Sequence, residues 1–197
     1  SLSLGTGATS LNADRQITVN AGTLTLGGVI NSAANSLTKA GAGTLSFGSN
    51  AITLNGLTIS AGVLTSTSGT MNLAGNFSNN GTFTHNTGTV NFNGTTAQQA
   101  IGGTTSTTFN NLSLNNTNGA ILGNSESVNG TLTLTSGRLT LGANNFTLGA
   151  ATTVTGGSSS AMIVPESTGE LRKILGLNPA ATAFTFPIGD NTITAEY

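Results

Sequence analysis

Apolar residues recur along most of the chain in pairs separated by one polar residue. Leu2-Ser3-Leu4, Ile17-Thr18-Val19, Leu24-Thr25-Leu26, Leu45-Ser46-Phe47, Ile52-Thr53-Leu54 and Leu57-Thr58-Ile59 set the pattern. Met71-Asn72-Leu73, Val90-Asn91-Phe92, Leu112-Ser113-Leu114, Leu132-Thr133-Leu134, Leu139-Thr140-Leu141 and Phe146-Thr147-Leu148 continue it. Alternation with period two predicts strands with one face inward and one outward. The outward residue is mostly Thr, which favours strands and tolerates water. Gly- and Asn-rich corners separate the pieces, for example Asn20-Ala21-Gly22, Ser60-Ala61-Gly62, Asn79-Asn80-Gly81 and Ser136-Gly137. Both residue types accept positive φ and suit sharp turns. No segment carries the three-and-four spacing of an amphipathic helix, so the chain is predicted to be all-β.

A longer period overlies the short one. The phrase Gly-x-φ-x, with φ an apolar residue, begins at Gly22, Gly43, Gly62 and Gly81. Between successive phrases lie about two further strand-like pieces. A repeat of ~20 residues holding three short strands predicts one coil of a parallel β-helix, a solenoid in which each strand pairs with its counterpart one coil later. A sandwich or a stack of hairpins is the rival reading, since Asn-Gly also favours tight hairpin turns. In the solenoid register Leu24, Leu45, Leu64 and Phe83 form one interior ladder. Leu26, Phe47, Leu132 and Leu134 belong to the same predicted core. The repeat blurs after Asn93, where 95–100 and 104–108 read as a longer excursion, and it recovers at Leu112 and Leu132.

Composition changes the picture towards the end of the chain. Residues 1–160 carry five charges: Asp14, Arg15, Lys39, Glu126 and Arg138. Residues 161–197 carry six, namely Glu166, Glu170, Arg172, Lys173, Asp190 and Glu196, together with Pro165, Pro179, Pro187 and the single tyrosine. Proline interrupts a ladder and charge keeps an edge solvated. The solenoid is therefore expected over 1–160, with 161–197 a distinct β segment acting as a cap, a junction or a docking segment.

Thr, Gly, Asn and Ser, at 36, 28, 24 and 20 residues, make up 108 of the 197 positions. Disorder is not expected, because aliphatic residues recur throughout. A chain without cysteine has no disulfide, thiolate nucleophile or zinc–thiolate site. Five basic residues and a net charge of −1 leave no electrostatic footprint for nucleic acid. No apolar run approaches the ~18–20 residues of a membrane span. A start at Ser1 without a basic and apolar leader reads as a mature product or an excised piece.

Catalytic chemistry is hard to assemble from what remains. Residues 40–125 contain no Asp, Glu, Lys or Arg. Paired acids of the kind that cleave polysaccharides are therefore absent from the central coils. Glu166 and Glu170 with Arg172 read as a structural ion-pair patch. His85 has no acid near it in sequence to complete a triad, and reads as a turn or surface residue. Gly27-Gly28 and Gly102-Gly103 lack the Lys-Ser/Thr of a phosphate loop. Two aspartates rule out a calcium-binding repeat array. Seven Asn-x-Ser/Thr triplets occur in a chain so rich in both that chance accounts for them. No catalytic residue, metal or cofactor is expected.

Some phrases carry a resemblance. Lys39-Ala40-Gly41-Ala42-Gly43-Thr44-Leu45-Ser46-Phe47 is similar to the β-strand repeats of autotransporter passenger domains. The stretch from Gly75 to Phe83, then Gly88-Thr89-Val90-Asn91-Phe92-Asn93-Gly94, resembles repeats in large secreted surface proteins of Bacteroidota-type bacteria. So does Thr107-Thr108-Phe109-Asn110-Asn111-Leu112-Ser113-Leu114, and Phe184-Thr185-Phe186-Pro187-Ile188-Gly189-Asp190 is similar to a phrase that follows such repeats. The resemblance covers about 20–160. It implies an extracellular β-helical stalk, adhesin or fibre on a bacterial surface, without catalytic residues. The partners expected are further copies of the chain, joined head to tail, or neighbouring domains of a longer one. Leu2, Leu4, Ile193 and Tyr197 mark the expected self-association edges. The competing readings are an ice- or carbohydrate-binding module with rows of outward Thr (Thr23, Thr25, Thr44, Thr65, Thr82, Thr84, Thr131, Thr133), so that a surface glycan is a possible partner, and, behind it, a polysaccharide-degrading enzyme.

Overall fold

The computed structural model describes residues 1–176 and 183–190. The chain winds into a β-solenoid of about eight turns, each of about 21 residues, with no helix among the described residues. All strand pairing is parallel and joins each coil to the next. Interstrand hydrogen bonds therefore run along the long axis of the stack.

Each coil visits three sheets in turn. In the first half these are a five-stranded sheet that includes Thr23–Leu26, Thr44–Phe47, Val63–Thr65 and Thr82–Thr84, a seven-stranded sheet that begins at Ile30–Ser32, and an eight-stranded sheet that begins at Arg15–Thr18. In the second half a four-stranded sheet takes the place of the first in the coil order. Its strands are Thr108–Phe109, Glu126–Val128, Phe146–Leu148 and Leu171–Lys173.

Period-two alternation decides which side chains enter the tube. Leu24, Leu45, Leu64 and Phe83 lie in consecutive register on the five-stranded sheet. Leu45 and Leu64 are fully buried, whereas Leu24 and Phe83 are half-buried and pack against the core. Leu26 and Phe47 pair one step further along the same strands and are both buried. Leu132 and Leu134 are core residues of a different ladder. They pair with Leu112 and Leu114 on the seven-stranded sheet, because the five-stranded sheet that holds Leu24 ends at Thr82–Thr84. Burying a leucine side chain stabilises by roughly 1.5–3 kcal/mol, so each completed ladder adds several such increments.

The excursion has a structural counterpart, narrower than the pattern implied. Gln99–Gly103 forms a regular strand of the eight-stranded sheet, paired with Phe77–Asn79 and Ala120–Leu122. Residues 95–98 and 104–106 are the exposed stretches on either side of it. Here the five-stranded sheet stops and the four-stranded sheet begins. Phe77, Phe83, Phe92 and Phe109 fill the core at this junction, with the rings of Phe83 and Phe109 5.7 Å apart and those of Phe77 and Phe83 5.5 Å apart. The last strand of the five-stranded sheet leads into a tight turn in which Asn86 and Thr87 hold φ of 46° and 59°.

The corners are held by asparagine. Seven Asn side chains donate their amide N–H to a backbone carbonyl of the preceding coil: Asn35 to Leu11, Asn50 to Gly27, Asn86 to Ser66, Asn110 to Thr87, Asn116 to Ala97, Asn118 to Thr95 and Asn144 to Leu122. The amide oxygens of Asn76, Asn80 and Asn145 accept backbone N–H groups of the following coil, from Ala100, Thr104 and Glu170. The side chain thus substitutes for a peptide group where the ladder is interrupted.

The stack continues past residue 160. Ile163–Val164 joins the eight-stranded sheet and Leu171–Lys173 the four-stranded sheet. Residues 187–189 then lie against Ile163, which donates to the carbonyl of Pro187 and accepts from Gly189. The charged, proline-containing segment expected to start at 161 therefore begins as a further coil. Pro165 and Pro187 fall outside its strands, where no ladder N–H is needed. Pro179, Ile193, Glu196 and Tyr197 lie outside the described residues.

Candidate functional site

The outer surface is built from two-column arrays of short polar side chains. On the five-stranded sheet Thr23, Thr44, Val63 and Thr82 form one column, and Thr25, Ser46, Thr65 and Thr84 the other. On the seven-stranded sheet Thr70, Thr89, Asn111, Thr131 and Thr153 stack beside Asn31, Thr53, Asn72, Asn91, Ser113, Thr133 and Thr155. Rungs in a sheet are ~4.8 Å apart and alternate residues along a strand ~6.6 Å apart, so each array is a regular lattice of polar groups. Neighbours in a column bond to each other: Asn91 donates to Asn72 at 2.8 Å, and the hydroxyl pairs Thr131–Thr153 and Thr133–Thr155 lie at 3.3 and 3.0 Å. Thr131 and Thr133 thus face a different direction from Thr23, Thr25, Thr44, Thr65, Thr82 and Thr84. The threonines form two arrays rather than one.

A shallow polar groove of about 360 Å³ runs beside the exposed 95–98 stretch. Ser36, Asn55, Thr58, Asn76, Thr96 and Gln98 line it. Gln98 also lines the adjoining groove, with Asn118, Thr140, Ser160 and Arg138. Buried amides fix this stretch. Gln99 donates to the carbonyl of Leu73 at 2.9 Å and accepts from Gly94 at 2.9 Å and from Asn116 at 3.1 Å.

Asp14 is exposed and accepts the N–H of Ser36 at 2.7 Å. Glu166 is exposed, and Glu170 forms an exposed ion pair with Arg172 at 2.8 Å. His85 is half-buried in the tight turn, where its Nδ1 accepts the N–H of Thr87 at 3.1 Å. Among the described residues no three His, Cys, Asp or Glu gather as a metal-binding group, and no helix is long and apolar enough to cross a membrane.

Three charged side chains instead point into the tube. Lys39 occupies an interior position between Ile17 and Ile59 and is fully buried. Its ammonium donates to the carbonyls of Ala40, Gly41 and Ala61 at 2.9, 2.8 and 3.1 Å. Lys173 repeats the arrangement at the other end, donating to Gly149, Ala150 and Thr152 while standing 5.1 Å from the centre of the Phe184 ring. Burial lowers the pKa of both amines. Glu126 lies inward in the ladder with Phe146. Burial pushes its carboxyl up to about 8, against two opposing hydrogen bonds from the backbone and the hydroxyl of Thr107. The alternation signal for these inward positions was present in Leu37-Thr38-Lys39 and Glu126-Ser127-Val128, but charge argued for the outside.

Comparison with protein-family models, with curated proteins and with solved structures finds no match.

Proposed function

We propose that the chain is a non-catalytic structural element of a bacterial exterior, a stalk or fibre unit in which coils of one copy stack end to end on those of the next. The carrying observation is the pairing itself: every coil is joined to its neighbours along one axis, and the outer columns of the five- and seven-stranded sheets are uncharged and mostly Thr, Ser and Asn. Such a stack lengthens by adding coils without any new type of contact. Leu2 and Leu4, expected at the self-association edge, are 60% and 61% exposed. Contacts of this head-to-tail type do not close and generate filaments. Sedimentation and electron microscopy of the purified chain at micromolar concentration test the reading. Concentration-dependent rods support it. A monomer at all concentrations, unchanged by Leu2→Asp with Leu4→Asp, removes the end-to-end assembly.

A second reading rests on the registered threonine columns of the five-stranded sheet, a repeating hydroxyl lattice suited to ice or to a surface glycan. Thermal hysteresis and glycan-array binding test it. Loss of either signal on Thr44→Lys and Thr65→Lys supports the reading, and no signal in the parent chain ends it.

A further inference from the structure

Beside the phenylalanine junction, three buried polar side chains form a linear relay that neither the stalk nor the lattice reading uses. Asn79 closes the strand Phe77–Asn79, Thr107 directly precedes Thr108–Phe109, and Glu126 opens Glu126–Val128. They are 1%, 2% and 3% exposed. Asn79 Nδ2 donates to Thr107 Oγ1 at 3.1 Å, so that oxygen stands beside the Asn79 amide group. The Thr107 hydroxyl and backbone N–H both hydrogen-bond to the Glu126 carboxyl. Asn79 Oδ1 accepts the N–H of Gly81 at 3.1 Å. The second carboxyl oxygen of Glu126, Oε1, is buried without a partner. The rings of Phe77 and Phe109, two residues from Asn79 and Thr107, lie 5.6 Å apart.

These groups are a nucleophile, an electrophile, a proton carrier and a donor at the carbonyl oxygen, in one dry place. We propose that Thr107 and Asn79 join as an intramolecular ester with loss of ammonia, and that Glu126 moves the proton. The Glu126 carboxylate takes the hydroxyl proton as Thr107 Oγ1 attacks Asn79 Cγ. The carbonyl π pair moves onto Oδ1, where the Gly81 N–H stabilises the negative charge. Glu126 returns the proton to the amide nitrogen, the Cγ–N bond breaks, and ammonia departs. The new O–Cγ bond remains, Glu126 is regenerated, and no oxidant or co-reactant is consumed. A buried carboxylate is a stronger base than a solvated one, and the same group can accept the proton and then deliver it. Burial also keeps out the water that hydrolyses esters. The product ties one coil to the next where the sheet order changes. It is independent of what the outer surface binds.

Mass spectrometry of the full chain decides the matter. After incubation at pH 8 and denaturation, the intact mass is expected to fall below the sequence mass by one ammonia. A chymotryptic digest, which cuts between the two residues, is expected to yield the Asn79 and Thr107 peptides joined, and hydroxylamine is expected to separate them. Thr107→Val and Glu126→Gln are expected to abolish the joined peptide, and Thr107→Ser to retain it. A succinimide at Asn80-Gly81 also loses ammonia, but it leaves the peptides separate and persists in Thr107→Val. Separate peptides at full mass from the folded parent chain overturn the proposal, and so does a joined peptide that survives Thr107→Val. Should Thr107→Val not fold, the parent and Thr107→Ser digests decide alone.

Discussion

Leu45 shows how much one residue contributes when its neighbours are identical in kind. It sits between Leu24 and Leu64 in a ladder that cannot close over a void without shifting two coils. Leu45→Ala is therefore expected to cost ~2–5 kcal/mol, read from the denaturation midpoint. Glu126 sets a different dependence. Its carboxyl is protonated in the folded state up to about pH 8, while the unfolded carboxyl ionises near 4.5. Between those values the folded state binds the additional proton, so stability falls as pH rises through the window and levels above it. The slope is at most ~1.4 kcal/mol per pH unit for one proton. Urea titrations from pH 5 to 8 are expected to show this decline in the parent chain, and a flatter profile in Glu126→Gln. Sequence pattern alone placed Leu45 inside, because leucine's polarity and its parity in the strand agree. For Glu126 and Lys39 they conflict. The conflict is resolved only by partners from other coils, the Thr107 hydroxyl and the corner carbonyl of Ala61, which no local pattern displays.

At the scale of the element, corners are more demanding than strands. Gly62 holds φ of +68° and Gly137 holds +80°. A Cβ on Gly137 would overlap the carbonyl oxygen of Asn116, itself part of the network that pins the 95–98 stretch. Gly137→Ala is expected to destabilise by more than the ~1 kcal/mol that left-handed backbone alone costs a side chain, because the obstacle is backbone and cannot swing away. Gly142→Ala is the control: its φ is +59°, with nothing near the added carbon. The difference between their melting temperatures isolates the clash. Strands were legible one by one because alternation is local. The sheet each joins was less so. Register steps vary from 19 residues, as in Leu64 to Phe83, to 25, as in Phe146 to Leu171. That is why Leu132 and Leu134 fell on another ladder than Leu24, and why the two groups of outward threonines point apart. The start of the 161–197 segment was hard to assign for a related reason. Its composition is unlike the rest, yet Leu171–Lys173 needs only three extended residues to add a rung.

For the molecule as a whole, stability comes from nearest-neighbour coil contacts, so it is greatest where a coil has neighbours on both sides. Hydrogen exchange is expected to be slowest at the amides of Leu45, Leu64, Met71 and Leu112, and fastest in Leu2–Ser3 and Arg15–Thr18, whose strands pair on one side only. Uniform protection from end to end would contradict this arrangement. Salt is expected to matter little. The Arg172–Glu170 ion pair has side chains 54% and 61% exposed, so screening it by raising the ionic strength should leave the melting temperature nearly unchanged.

Because interstrand hydrogen bonds lie along the axis, the stack has a definite response to load. Tension applied at its two ends opens coils in peel geometry, with each rung's bonds taken in turn rather than sheared all at once. A coil of about 21 residues that lets go pays out roughly 70 Å of extended chain. The molecule would yield at modest force through a series of similar steps, dissipating work over a length many times its own. A covalent tie between Asn79 and Thr107 would place one inextensible link in that series.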